Sequence, residues 1–90
     1  MANTIHSYDA YSIALHKAVN KELEILGYQR KYNPSTIVVQ IPDKNYKYQA
    51  KVILFEVVFN SDYFDNPTDS MSDVMCKVRN LKTTHPELFL

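Results

Sequence analysis

From Val52 to Phe59 the chain reads Val-Ile-Leu-Phe-Glu-Val-Val-Phe, apolar at every position but Glu56. A strand with one wet face alternates apolar and polar residues. A continuous run of β-branched and aromatic side chains predicts instead a strand covered on both faces. Tyr46 to Lys51 still mixes polar and apolar residues, so one long strand from Tyr46 to Phe59 is expected, its far half the more apolar. The remainder of the 90 residues must supply both covers. A chain of this size holds one small core, in a single domain over residues 1–90.

The flanking segments offer two helices. Ser7 or Asp9 can cap the first, because a short oxygen-bearing side chain satisfies a free N–H of the first turn. Tyr8, Tyr11, Leu15, Ala18, Val19, Leu23 and Leu26 then share one helical face, with Lys17, Asn20, Lys21 and Glu24 opposite. Gly27 ends it, as the residue that adopts a left-handed conformation without strain. The pattern predicts a helix over about 8–26. Ile13 and Glu22 fall on the wrong sides of it; an exposed Ile13 is either ordinary tolerance or a partner contact. Further on, Asn66-Pro67 is a helix start, with Asn as cap and Pro in the first helical position. Met71, Val74, Met75, Val78 and Leu81 recur at helical spacing, and the helix is expected over about 67–83. Thr84-His85-Pro86 breaks it, and the Leu88-Phe89-Leu90 tip is expected to dock, since a free apolar end is unfavourable in water.

Between the helices, Ile37, Val39 and Ile41 alternate with Thr36, Val38 and Gln40, and Pro42-Asp43-Lys44-Asn45 has the make-up of a turn. A β-hairpin follows, with Ile41 opposite Tyr46 and Ser35 opposite Val52. The same register places Tyr32 near Phe55 and Tyr28 near Phe59. A third short strand over residues 28–32 could therefore pair with the far half of the long strand, with Asn33-Pro34 as a kink and Arg30 or Lys31 beside Glu56. The fold class is α+β, in the order α-β-β-α, with a long antiparallel hairpin packed against two amphipathic helices.

Charge restricts the partners. Ten basic residues balance ten acidic ones, so bulk charge drives the chain to neither nucleic acid nor membrane. The distribution is uneven. Arg30, Lys31, Lys44, Lys47 and Lys51 face only Asp43 between residues 28 and 55, whereas Glu56, Asp62, Asp65, Asp69 and Asp73 have no basic residue among them up to Cys76. Cys76 is the single cysteine, so no disulfide can form within the chain. The start Met-Ala-Asn-Thr-Ile-His-Ser lacks the pattern of a signal peptide, and no apolar run reaches the length of a membrane span. A cytoplasmic protein is the expectation.

No catalytic constellation emerges. His6, His16 and His85 stand at no ligand spacing, the aspartates from Asp62 to Asp73 do not match a calcium loop, and Cys76 reads as a buried thiol beside the apolar face of its helix. No enzyme, metal or cofactor is expected. Two binding classes remain. A basic and aromatic hairpin face, with Arg30, Lys31, Lys47 and Lys51 beside Thr36, Gln40 and Gln49, would suit nucleic acid. The stronger reading is protein binding, because two helices cover one sheet face and leave apolar side chains on the other. A second copy or another protein would cover them, unless the chain's own ends with Tyr63 and Phe64 do so. The candidate contact residues are Tyr46 and Tyr48 near the hairpin turn and Asp62, Tyr63, Phe64 and Asp65 in the acidic loop, aromatics beside charges. The expected function is a non-catalytic protein-binding module, a homodimer of the inhibitor or adaptor kind. Phages carry such small domains against host systems; that part of the expectation rests on size alone.

Overall fold

The computed structural model of the protein describes residues 6–7, 9–28, 32–41 and 47–89. In chain order they form strand β1 (His6–Ser7), helix α1 (Asp9–Leu26), strands β2 (Ser35–Ile41), β3 (Lys47–Leu54) and β4 (Val57–Asn60), helix α2 (Pro67–Arg79), the short helix α3 (Leu81–Thr84) and a 3-10 turn (Pro86–Phe89). The architecture is α+β, and the order α-β-β-α is present with β1 and β4 added to it. The strands form one antiparallel sheet in the order β1-β2-β3-β4.

Both helices begin or end where the residue chemistry places them. Gly27 takes φ 85°. Its N–H donates to the Glu24 carbonyl at 3.1 Å, and the Tyr28 N–H donates to the Leu23 carbonyl at 2.9 Å, a paired closure of the last turn. Asn66 caps α2, its side-chain oxygen accepting the Thr68 N–H at 2.8 Å. Helix α2 stops at Asn80, a little short of the expected end, and the chain restarts as α3. Leu15, Val19 and Leu23 of α1 meet Val74, Met75 and Val78 of α2, with Leu81, over Val38, Ala50, Val52 and Leu54 of the sheet. Glu22, on the apolar side of α1, approaches Arg79 of α2 at 3.7 Å. The apolar tip docks as expected, Leu88 and Phe89 packing against this core; Leu90 lies outside the described residues.

Two expectations are corrected. The first is the hairpin register. Ile41 pairs with Lys47 and Ser35 with Ile53, one residue beyond the predicted partners. A one-residue slip exchanges the faces of a strand. Val38 and Ala50, both fully buried, are now partners under the helices. Lys47, Gln49 and Lys51 share the opposite face with Ile37, Val39 and Ile41, so the polar face expected from Thr36, Gln40, Lys47, Gln49 and Lys51 is divided between two sides. Alternation points the other way: Ile37, Val39 and Ile41 are the more apolar side of β2, yet the helices cover the side of Thr36, Val38 and Gln40.

The second correction concerns the apolar run itself. It is not one strand. The chain reverses at Phe55 and Glu56, and its far half returns as β4, pairing Val52 with Phe59, Ile53 with Val58 and Leu54 with Val57. The run supplies its own in-plane neighbour and still carries apolar side chains to both faces, Val52 and Leu54 under the helices and Ile53 and Val58 on the other side. Of the third strand expected over residues 28–32, Tyr28 and Tyr32 are not in a strand, and residues 29–31 lie outside the described residues. The nearness of Tyr32 to Phe55 holds all the same, their rings stacking at 4.3 Å.

Candidate functional site

Beyond β4 the chain continues along β3 with one residue too many. Ser61 N–H donates to the Ala50 carbonyl at 2.9 Å, and Phe64 then exchanges two backbone hydrogen bonds with Tyr48, at 2.7 and 2.9 Å. Pairing has slipped by one between these points, which defines a β-bulge. The buried Ser61 hydroxyl holds it. The hydroxyl accepts the Ala50 N–H at 2.9 Å and donates to the Asp62 carbonyl at 2.7 Å. Gln49 closes the opening by donating its side-chain amide to the Ser61 carbonyl at 3.0 Å.

The bulge gathers most of the contact residues expected from the sequence. Tyr48 and Phe64 lie side by side, both half-buried. Asp65 forms an ion pair with Lys47. Asp62 is exposed, its N–H donating to the Asp73 carboxylate on α2 at 2.9 Å. Tyr63 stands outward with 58% of its surface exposed. Tyr46 lies outside the described residues, as do Arg30 and Lys31 of the nucleic-acid reading. Lys47 and Lys51 stand on the sheet face that the core helices leave open.

That open face was not assigned residue by residue from the sequence. It carries Ile37, Val39 and Ile41 of β2, Lys47, Gln49, Lys51 and Ile53 of β3, and Val58 and Asn60 of β4. Ile53 and Val58 face each other directly and are 40% and 54% exposed. Val39 is only 8% exposed yet stands apart from the helix-side core, sheltered in the middle of this second, thinner apolar layer. The signal that would have found the face is period two on each side of a turn at residues 55–56. No Gly, Asn, Asp or Pro marks that turn.

The described residues bring no nucleophile, base and orienting group together. Cys76 is exposed, not buried as expected, with the Arg79 guanidinium 3.9 Å from its sulfur. His85 contacts the Thr84 hydroxyl at 2.9 Å and meets the Phe59 ring edge-on. Among the described residues no three His, Cys, Asp or Glu side chains group as metal ligands, and no helix is long and apolar enough to cross a membrane. A concavity of about 570 Å³ is an open groove beside α1 lined by Ser12, Ile13, His16, Lys17, Pro34 and Thr36. Ile13, 57% exposed, forms part of its wall. Compared with protein-family models, curated proteins and solved structures, the chain shows no match.

Proposed function

We propose that the protein is a non-catalytic binding module that pairs with a second copy of itself through the open face of its sheet, in the manner of a small inhibitor or adaptor. One observation carries this reading: the cross-strand pair Ile53–Val58 stands exposed on the β3–β4 side of a sheet whose core helices lie on the other face. Burying an aliphatic side chain of this size is worth about 1.5–3 kcal/mol. Sheet-on-sheet packing would complete burial of Ile37, Val39, Ile41, Ile53 and Val58 together. The balanced charge of the chain lets two copies approach without net repulsion. Lys47 with Asp65, and Tyr63 beyond the bulge, would stand at the margin of such an interface, where aromatic and paired polar groups are common.

Light scattering tests it. The parent chain should show twice its 10.5 kDa mass, and the double variant Ile53→Glu/Val58→Glu should fall to the single mass with an unchanged circular dichroism spectrum. A parent chain of single mass at high concentration would remove the reading. A second class, nucleic-acid binding across the same face, draws support from Lys51, which has no hydrogen bond or ion pair through its ammonium among the described residues. Lys47 supports it less, being held by Asp65. A gel shift with labelled duplex that disappears steeply as salt rises would favour this second class.

A further inference from the structure

The β3–β4 turn, at the end of these strands away from the bulge, carries a separate cluster. Phe55 takes φ 55°, the one non-glycine residue with positive φ among the described residues. Glycine adopts that conformation freely, whereas a residue with a bulky ring is strained there. Such strain persists where the surroundings impose it, and it concentrates at binding sites. The Phe55 ring is 53% exposed and stacks on Tyr32, with centroids 4.3 Å apart and planes 23° apart.

Tyr32 is itself fixed. Its N–H donates to the Tyr28 hydroxyl at 3.1 Å, and that hydroxyl donates to the Tyr32 carbonyl at 3.4 Å. Tyr28 is buried, its ring edge-on to Phe89 at 5.7 Å. The 3-10 turn that carries Phe89 also carries Glu87 and Leu88. Tyr32, Phe55, Glu56, Val57, Glu87 and Leu88 line a cavity of about 260 Å³. Glu56 and Glu87 are exposed, and neither makes a side-chain hydrogen bond or an ion pair among the described residues.

We propose that this cavity receives an arginine side chain presented by a partner protein. A guanidinium stacks flat on aromatic rings and donates in pairs to carboxylates. The cavity offers both features, with Val57 and Leu88 as its apolar lining. An apolar visitor would strip water from two carboxylates without replacing their hydrogen bonds, and an acidic one would be repelled. The cavity is smaller than the usual site for a drug-sized ligand, which suits one side chain. The site stands independently of self-association through the open face.

Titration of isotope-labelled protein with arginine blocked at both ends, followed by NMR, tests the proposal. Blocked arginine should shift the Tyr32 and Phe55 ring signals and the Glu56 and Leu88 amides, saturating with a dissociation constant on the order of millimolar. Blocked glutamine should leave them in place. Glu56→Gln with Glu87→Gln should weaken binding about tenfold. Phe55→Gly should abolish the shifts while leaving the amide spectrum of the core intact, because glycine accepts the turn and only the ring is lost. The proposal is overturned by unsaturable shifts, by equal shifts from blocked glutamine, or by parent-like binding in Phe55→Gly or in the double glutamine variant. Free arginine binding more tightly than the blocked form would assign the site to a small molecule and overturn the protein source.

Discussion

Ser61 shows how much one hydroxyl can hold. Where the ladder between β3 and its neighbour slips by a residue, the Ala50 N–H loses its backbone acceptor, and the Ser61 oxygen takes that place at 2.9 Å. Both residues are buried, so water cannot substitute. Ser61→Ala should therefore leave a buried donor unsatisfied and cost about 1–3 kcal/mol, read from the midpoint of urea denaturation at unchanged slope. Gly27 and Asn66 were legible from residue type because each has few conformational rivals for its position. Ser61 was not, because a serine after a strand is commonplace and only the slipped register makes its hydroxyl necessary. Cys76 was misread for a related reason: it lies beside the apolar stripe of α2, and sequence spacing does not say where the stripe ends.

At the scale of elements, α1 and the start of α2 were read almost to the residue, since caps and a 3.6-residue period act locally, while α2 ends at Arg79, short of the expected 83. Helix α2 depends on its cap. Asn66→Ala removes the acceptor for the Thr68 N–H and should cost about 0.5–2 kcal/mol, measurable as a lower denaturation midpoint and a loss of helical signal. The sheet was read less well, because strand pairing is decided by distant parts of the chain. Ile37, Val39 and Ile41 are as apolar as Val38, so only contact with Leu15, Val19 and Val74 selects the Val38 side. The reversal at Phe55 and Glu56 left no trace in composition, its φ of 55° falling on a residue that turn statistics would reject. What looked like one long strand is a strand and its own partner, with apolar side chains on both faces.

Across the whole molecule, the reversal decides the layer count. Two helices cover one face of a four-stranded sheet, and Val52 and Leu54 are sealed beneath them. Ile53 and Val58 stand on the other side, so the run is neither wholly sheltered nor wholly exposed. Most of the expected contact residues gather at the bulge, with Tyr48 against Phe64 and Lys47 beside Asp65, while the open face extends across β2, β3 and β4. Self-association through that face leaves a specific signature. In a sample mixing isotope-labelled and unlabelled copies, filtered NOE spectra should connect the Ile53 and Val58 methyl groups of one copy to the Ile37, Ile53 or Val58 methyl groups of the other. Intermolecular contacts arising only from other surfaces, or none at millimolar protein, would contradict it.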